Sequence, residues 1–315
     1  MEEVSVIIVC MNGPREHLES CLQRMLVQTK SALQILVVAY LWSREDEERF
    51  SEDYPEVTLI PSRETRGFAE NNNLALPYLK GRYTFIVNDD TRMEEPVIDA
   101  LVKDLEKLPS EAGAVSPAIR FKDGSLQTCG RGPWSAWRYA RHYLHWVNEA
   151  RRSRWNKVSR KESRRNIASA ALVRRKGKLF RTYTLNGACF LIKTELFKGV
   201  GGFDERFFFT PEDIALGHRL NELGYTVWAD SRVNIIHLAG GTVGDWEQAI
   251  KPARVRGSLI FYGEPLALKL FIWCVEAGRY LKNRKNPAAR QVARNVMRTV
   301  FSKRTPKEIF LKFKP

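Results

Sequence analysis

Apolar residues in the first 120 positions form short continuous runs, and stretches with helical spacing separate several of these runs. The runs predict strands at 4–10, 34–40, 57–61, 83–87 and 114–120. The spacing between them predicts helices at 15–27, 67–79 and 95–107. Strands that alternate with helices form a mostly parallel sheet with helices on both faces. The first part of the chain therefore predicts an α/β fold of Rossmann-like type.

A second set of elements begins near residue 185. The pattern predicts a strand at 188–193, a helix at 212–223, and strands at 226–229 and 233–237. Beyond residue 245 the chain is helical in pattern and basic. Between the two sets, residues 131–181 break the alternation with basic residues and four of the eight tryptophans. We therefore expect three regions, 1–120, 121–245 with the insertion 131–181, and 246–315.

The strand predicted at 83–87 stops at an acidic edge, in the sequence RYTFIVNDDT. Asn88, Asp89 and Asp90 follow the apolar run directly. In open α/β sheets, ligands bind at the carboxyl ends of the strands, and carboxylates placed there can hold a cation. The alternative is a type I turn, in which Asn and Asp are common. This stretch alone leaves both interpretations open.

Positive charge is concentrated in two segments of this 315-residue chain, whose net charge is +15. Residues 131–181 hold 16 Lys and Arg against Glu149 and Glu162, a net charge of +14. Residues 282–315 hold 11 against Glu308, a net charge of +10, which leaves −9 for the rest of the chain. Basic segments bind nucleic acid, membrane surfaces or anionic substrates.

The five cysteines show neither a CxxC pair nor regular spacing, which predicts reduced, mostly buried thiols of a cytosolic protein. They are Cys10, Cys21, Cys129, Cys189 and Cys274. The first residues, MEEVSVIIVC, are acidic and enter a strand-like run, so we expect no secretory signal. No stretch reaches the roughly 18 apolar residues needed to span a bilayer; the nearest, 265–278, is interrupted by Lys269.

Five segments occur in a fixed order along the chain: VSVIIVCMNG, RGFAENNN, NDDT, NGACFLIKTELFKGVGGFDERFFFTPEDIALGHRL and VNIIHLAGGT. Together they resemble the family-2 glycosyltransferases, inverting enzymes of the GT-A fold, and most closely the rhamnosyltransferase-like members that build bacterial surface polysaccharides. The resemblance covers roughly residues 4–245. It implies that 1–120 bind a nucleotide-diphosphate sugar and that 121–245 bind the acceptor. Five ordered motifs are far more specific than any one of them.

For NDDT, the resemblance implies a site for a divalent metal, Mg²⁺ or Mn²⁺. Asp90 is the expected direct ligand, while Asn88 and Asp89 hold the sugar, the ribose or bound water. His237 matches the position that completes the metal or diphosphate site. Such an ion neutralises charge on the leaving diphosphate. A lone histidine is otherwise more often a structural group.

Glu212 and Asp213 match the family's acidic pair at the start of a helix. An inverting transfer needs a base that takes the proton of the attacking hydroxyl. We expect Asp213 to be that base and Glu212 to position the acceptor. The alternative is that Pro211, Glu212 and Asp213 only favour the first helical turn and its dipole.

Further residues are expected to contact the donor or the acceptor. Asn12 follows the first strand, and Arg66 and Gly67 precede a helix whose N–H groups can meet phosphate. The others, implied by the resemblance, are Asn72 and Asn73 facing the donor and Asn186 and Gly187 lining the sugar or acceptor pocket. For Asn72 and Asn73, a polar helix surface is the alternative.

One position departs from the family pattern. Ala39 stands where an aspartate that reads a uracil or thymine ring is expected, and Tyr40 lies beside it. Tyr40 or Trp42 could stack on the ring instead, so the base of a UDP- or dTDP-sugar stays open.

Residues 289–301 carry an apolar stripe at helical spacing that includes Val292, Val296, Val300 and Phe301. Arg290, Arg294 and Arg298 lie off the stripe. This pattern predicts a basic amphipathic helix on an anionic membrane surface, and Trp134, Trp137, Trp146 and Trp155 of the insertion fit the same interpretation. The alternative is a helix packed on its own domain with a solvated basic face.

The function expected from the sequence is inverting, metal-dependent transfer of a sugar from a nucleotide diphosphate to a lipid-linked or polysaccharide acceptor. The enzyme is expected to be cytoplasmic and peripheral on the inner face of the cell membrane. One alternative is a nucleic-acid-binding protein that uses the Arg- and Trp-rich segments, although this leaves NDDT and PEDIAL unexplained. Another is a soluble transferase that acts on a protein or a small glycan.

Overall fold

The computed structural model describes residues 3–14, 16–130, 132, 135–152, 177–238 and 246–314. The chain forms two compact units. The first comprises the described residues of 1–132, 168–205 and 212–242, and the second those of 133–167, 206–211 and 243–315. Within the described ranges, no helix combines the length and the apolar composition needed to cross a bilayer.

The first unit is built on a mixed sheet. Its described strands are β1 (Val4–Met11), β2 (Leu33–Tyr40), β3 (Val57–Ser62), β4 (Tyr83–Asn88), β5 (Thr91–Arg92), β6 (Ala112–Arg120), β7 (Leu126–Thr128), β8 (Leu179–Thr182), β9 (Cys189–Lys193) and β10 (Thr226–His237). Their order is β3-β2-β1-β4-β9-β6-β10-β5, with β7 on β6 and β8 on β10. Strands β3, β2, β1 and β4 are parallel, as are β6 and β10, whereas β9 runs antiparallel between β4 and β6.

The described helices are α1 (Glu16–Gln28), α2 (Arg44–Asp53), α3 (Phe68–Asn73), α4 (Val97–Lys107), α5 (Ala136–Arg152), α6 (Thr194–Gly199), α7 (Glu212–Glu222), α8 (Glu247–Phe261), α9 (Leu266–Lys282), α10 (Pro287–Val300) and α11 (Pro306–Phe313). Helices α1, α2 and α4 pack on one face of the sheet, and α3, α6 and α7 pack on the other. Alternate strand residues face the two cores: Val6 and Ile8 contribute to the first and Ile7 to the second. Burial on both faces explains the continuous apolar runs in the sequence.

Two predicted elements differ in detail. The helix expected at 67–79 is split into α3 and a 3₁₀ turn at Leu76–Tyr78. Pro77 lies at the start of that turn, and its lack of an N–H favours a new turn over continuation of the helix. The two strands expected at 226–229 and 233–237 are one strand, β10, whose register on β6 shifts between Asp230 and Asn234.

The second unit is helical. Helices α5, α8, α9 and α10 share a core that includes Tyr143, Leu259, Ile272 and Val296. Helix α11 packs through Phe310 onto Phe208 and the start of α8. The unit contains most of the basic segment 282–315, so the positive charge of that segment is carried on packed helices.

The prediction that the stripe on 289–301 lies on a membrane is wrong for its valines. Val292, Val296 and Val300 of α10 are buried, because α8 and α9 cover that side of the helix. Arg294 and Arg298 are exposed on its other side. Helix α10 is therefore a helix packed on its own unit with a solvated basic face, which is the alternative interpretation of its sequence.

The insertion is described only in part. Residues 153–176, which include Trp155, lie outside the described residues, as do Trp134 and the side chain of Trp146, while Trp137 on α5 is exposed. The five cysteines are free, and all except Cys274 are buried. Burial raises the pKa of the Cys21 and Cys129 thiols to about 12, so these thiols are unreactive at neutral pH.

Candidate active site

The carboxyl ends of β1, β2 and β4 lie at one edge of the sheet, because the three strands are parallel. The Asn12 N–H donates to the Tyr40 carbonyl oxygen at 2.9 Å, which ties the ends of β1 and β2 together. Asn12 has a φ of 60°, a left-handed conformation that Asn adopts more readily than most residues. Asn88 ends β4 at the same edge, where open α/β folds bind their ligands.

Asp90 and His237 meet at this edge. His237 Nε2 lies 3.1 Å from Asp90 Oδ1, and both side chains are mostly but not fully buried. Backbone pairing sets the arrangement, since β5 pairs antiparallel with the end of β10 in a register that aligns Thr91 with His237. The Leu238 N–H also donates to the Asp90 carbonyl oxygen at 2.9 Å. The structure thus brings together the two residues that the sequence analysis expected as metal ligands.

Gln127 on β7 orients the imidazole of His237. Its Oε1 lies 3.0 Å from His237 Nδ1, and a carboxamide oxygen can only accept a hydrogen bond. In the neutral imidazole this contact places the proton on Nδ1 and leaves a lone pair on Nε2, facing Asp90. Asn88 Nδ2 lies 3.4 Å from the same Nε2, in reach to donate to that lone pair. The sequence gives no signal for Gln127, because a three-residue strand carries no recognisable motif.

The residues present fit a divalent cation. A carboxylate oxygen and an imidazole nitrogen converge at Asp90 and His237; carboxylates suit Mg²⁺ and Mn²⁺, and imidazole is a ligand of several divalent transition metals. Within the described ranges, no group of three or more His, Cys, Asp or Glu residues could hold a metal ion. The pair would therefore leave coordination positions for phosphate oxygens and water, as magnesium sites in phosphoryl-transfer enzymes do. Asp89 is half-buried next to this pair.

Asp213 lies in the first turn of α7, and two backbone N–H groups hold its carboxylate. Gly187 donates to Oδ2 at 3.0 Å, and Ile214 donates to Oδ1 at 2.7 Å. Each carboxylate oxygen can accept more than one hydrogen bond, so the group keeps capacity to accept a proton. A Cβ at Gly187 would lie 3.2 Å from the ring of Phe68, a tight contact that glycine avoids. Glu212 is buried, whereas Asp213 is half-buried.

Strands β4 and β9 connect the two parts of the site. The Asn88 N–H donates to the Ala188 carbonyl oxygen at 3.0 Å, and Ala188 follows Gly187 directly in the chain. Asn186 Oδ1 accepts from the Ala188 N–H at 2.9 Å, which fixes the loop that enters β9. The pair of Asp90 and His237 and the carboxylate of Asp213 therefore border the same loop.

The segment from Arg66 to Gly67 is occupied by contacts within the protein. The Gly67 N–H donates to Glu70 Oε2 at 2.9 Å, and α3 is only six residues long. A carboxylate therefore already accepts from this N–H, and the phosphate contact expected for Gly67 stays a prediction. The Arg66 N–H donates to the Tyr40 hydroxyl, while its guanidinium contacts Ser62 and Glu64.

Other residues expected to contact the donor are buried or make hydrogen bonds within the protein. Asn72 is buried and donates to the Phe68 carbonyl oxygen at 2.9 Å. Asn73 exchanges hydrogen bonds with the backbone of Phe203, donating at 2.8 Å and accepting at 2.9 Å. Ala39 is fully buried in the core of the first unit.

The two aromatic residues considered for ring stacking differ in their surroundings. Trp42 is buried and its Nε1–H donates to the Cys10 carbonyl oxygen at 2.8 Å, so it is not free to stack on a base. Tyr40 is also largely buried, and burial raises the pKa of its hydroxyl. The hydroxyl accepts from the Arg66 N–H at 3.2 Å. Tyr40 thus links the end of β2 to the segment before α3.

With this geometry in place, comparison with known proteins defines the class. Residues 2–251 match the family described as glycosyltransferase like family 2, and the chain belongs to that family. It is a glycosyltransferase, which leaves the nucleic-acid-binding alternative without support. The N-acetylglucosaminyl-diphospho-decaprenol L-rhamnosyltransferase of Mycobacterium tuberculosis is 28% identical over 264 residues, which cover 78% of this chain and 80% of the relative. The O-antigen biosynthesis protein RfbC of Myxococcus xanthus is 25% identical over 75% of this chain and 17% of its own length.

Solved structures show the same fold. GalNAc-T7, crystallised with UDP, GalNAc and Mn²⁺, has a TM-score of 0.56 at 14% identity, covering 93% of this chain and 55% of that one. The mannosyltransferase PcManGT from Pyrobaculum calidifontis, in complex with GDP-Man and Mn²⁺, has a TM-score of 0.54 at 17% identity, covering 98% and 78%. The predicted GT-A fold and the resemblance to rhamnosyltransferase-like members of the family are confirmed.

Proposed function

We propose that this glycosyltransferase moves a sugar from a nucleotide diphosphate to a lipid-linked acceptor, with inversion, at the cytoplasmic face of the cell membrane. The observation that carries the proposal is the contact between Asp90 and His237 at the end of the sheet strands, together with the hydrogen bond from the Gly187 N–H to the carboxylate of Asp213. Two ligands for a cation and one carboxylate base match the two needs of the reaction, which are a stabilised leaving group and an activated hydroxyl.

Asp90 and His237 would hold the divalent metal, Mn²⁺ or Mg²⁺, and Gln127 would keep the imidazole lone pair directed at it. When bound, the ion neutralises the charge that develops on the leaving diphosphate. Asn88 and Asp89, at the same edge, would contact the ribose, the sugar or bound water. Support for a metal comes from the donor atoms of Asp90 and His237 and from the Mn²⁺ in both structural neighbours.

Asp213 would act as the base. Its carboxylate is held by the N–H groups of Gly187 and Ile214 and is more accessible than that of Glu212. It would take the proton of the acceptor hydroxyl while that oxygen attacks the anomeric carbon opposite the departing diphosphate, and a single displacement of this kind inverts the configuration. Glu212, the preceding residue, would position the acceptor.

The acceptor class is suggested by the relatives. The mycobacterial proteins are named for a diphospho-decaprenol-linked N-acetylglucosamine and for rhamnose, and the protein from Myxococcus xanthus is named for O-antigen biosynthesis. We propose a sugar linked through diphosphate to a polyprenol as the acceptor, within the synthesis of a cell-envelope polysaccharide. The donor would be a UDP- or dTDP-sugar, with dTDP-rhamnose as the first to test.

The experiment incubates the full chain with UDP- and dTDP-sugars and a short-chain polyprenyl-diphospho-N-acetylglucosamine, in Mn²⁺, in Mg²⁺ or in EDTA. Product should form only with a metal ion, and its anomeric configuration, read by NMR, should be inverted relative to the donor. N-acetylglucosamine without the lipid serves as the control acceptor and should be used far less well. Product of retained configuration, or undiminished turnover in EDTA, would refute the proposal.

A further inference from the structure

Helix α9 (Leu266–Lys282) is apolar on two opposite sides. On one side, Leu268 and Ile272 are buried in the core of the second unit. On the other side, Leu266 is 65% exposed, Leu270 49% and Leu281 62%. A surface helix in a globular protein normally keeps one side polar, and a helix that is apolar all round is buried or contacts a membrane. We therefore expect a partner to cover the exposed side of α9.

The exposed residues form one line along the helix. Leu266, Leu270, Trp273 and Leu281 follow each other at helical spacings, with Cys274 beside Trp273, and these five residues are defined here as the outer face. The line is about 22 Å long at the rise of an α-helix. A Cβ at Gly278 would meet no atom within 4 Å, which shows that the surface is open there too.

No acidic side chain interrupts the outer face. The one acid of α9, Glu276, is fully buried on the inner side, where it accepts hydrogen bonds from Lys251 at 2.9 Å and from Arg279. The outer face ends instead at exposed basic residues, Lys282, Arg284 and Lys285. Every charged residue from 277 to 307 is Lys or Arg. An apolar line with a basic rim is the pattern of helices that lie in the interface of an anionic membrane.

We infer that the outer face of α9 docks on an anionic lipid bilayer, with its leucines and Trp273 at the acyl boundary and the basic rim at the phosphates. A second copy of the chain is a poorer partner, because pairing would bring together two segments of the same strong positive charge. The inference rests on the proposed lipid-linked acceptor, and it assigns docking to α9 in place of α10. The enzyme would thereby reach its acceptor at the membrane surface.

Cys274 provides the test, because the other four cysteines are buried and a thiol reagent can label the folded chain at this position. A nitrobenzoxadiazole fluorophore on Cys274 should shift to the blue and brighten with vesicles of phosphatidylcholine and phosphatidylglycerol, and not with phosphatidylcholine alone. The control is Cys274→Ser with Leu223→Cys, which moves the label to an exposed position of the first unit and should not respond.

Substitutions separate the apolar and the charged contributions. Leu270→Ser with Trp273→Ser should weaken vesicle binding by about tenfold or more. Each substitution removes apolar surface whose transfer from water into the bilayer favours binding. Leu223→Ser is the matched control and should bind like the original chain. Lys282→Gln, Arg284→Gln and Lys285→Gln together should remove most of the salt-sensitive part of binding.

Three results would overturn the inference. Vesicle binding that leaves the fluorophore on Cys274 in water would assign docking to another surface. A blue shift that appears without vesicles and rises with protein concentration would assign the outer face to a second copy. Absence of binding to anionic vesicles would exclude a lipid partner. Nucleotide-sugar binding is measured without vesicles, so failure of the docking surface and failure of the proposed reaction are distinguishable.

Discussion

The backbone N–H of Gly187 donates to Oδ2 of Asp213 at 3.0 Å, and this contact fixes the proposed base against the loop that enters β9. The next residue of that loop, Ala188, accepts from the N–H of Asn88 at the end of β4. The loop therefore contacts both the carboxylate of Asp213 and the end of β4, which leads to Asp90. The proposed base and the strand end that leads to the proposed metal ligands come from distant parts of the sequence, and both contact this short stretch of backbone.

The first prediction concerns the base. Asp213→Asn keeps the size of the side chain but cannot take up a proton, so the rate of sugar transfer should fall by about 10²-fold or more. Donor binding, measured by calorimetry, should change little. Glu212→Gln is the matched control and should cost less, because Glu212 is buried. A larger loss from Glu212→Gln than from Asp213→Asn would reverse the two roles.

The second prediction concerns Gln127. Gln127→Leu removes the acceptor that places the proton on His237 Nδ1, and loss of such an outer-shell partner typically weakens metal binding by about 10- to 100-fold. Gln127→Glu restores an acceptor oxygen and should recover most of the affinity. Titration with Mn²⁺ followed by electron paramagnetic resonance measures both without any turnover. Equal Mn²⁺ affinity in the leucine variant and the original chain would exclude the positioning role.

The third prediction concerns Glu264, which joins α8 to α9. Hydrogen bonds from Arg256 and Lys269 lower the pKa of this carboxyl from 4.5 to about 2. Because the pKa in the folded state is depressed, the ionised group stabilises the fold above pH 4.5, and this contribution is lost as the pH falls from 4.5 towards 2. Glu264→Gln should therefore unfold at a lower temperature than the original chain at neutral pH. The difference in melting temperature between the two should narrow as the pH falls from 4.5 towards 2.

Thermal unfolding across that pH range measures the effect on the second unit. Glu52→Gln, at an exposed position of α2, is the matched control and should not change the pH dependence. A constant difference between Glu264→Gln and the original chain from neutral to acidic pH would show that the ionised carboxylate contributes nothing.

The sequence predicted the main strands because they are buried on both faces, which leaves continuous apolar runs such as those of β1 and β4. It also predicted the acidic edge at Asn88, Asp89 and Asp90, since polar residues that end a buried strand stand out. It did not predict Gln127, whose partner His237 is distant in sequence and whose strand is three residues long. Nor did it predict that Glu70 would occupy the N–H of Gly67, since a loop glycine before a helix has the same sequence in both situations.

Helices α9 and α10 show what hydrophobic periodicity does not predict. The stripe of α10 was recognised correctly as apolar, but spacing does not reveal what covers a stripe, and the structure covers it with α8 and α9. Helix α9 carries two apolar sides, which weakens its periodic signal. Its outer face is distinguishable from its inner side only in the structure, where Leu268 and Ile272 are buried by packing.

The central claim is that Asp90 and His237 form a divalent-metal site for a nucleotide diphosphate. The most direct measurement is calorimetric titration of UDP and dTDP into the full chain, in Mn²⁺ and in EDTA. Asp90→Ala is compared with Asp53→Ala, which replaces an exposed aspartate of α2. Thermal unfolding of both variants is measured to check that they are folded.

At least one of the two nucleotides should bind about tenfold or more tightly with Mn²⁺ than in EDTA, since an ion held by Asp90 and His237 would offset the negative charge of the diphosphate. Asp90→Ala should lose that gain, and Asp53→Ala should keep it. Equal affinity with Mn²⁺ and in EDTA for both nucleotides, or a gain that survives in Asp90→Ala, would contradict the account.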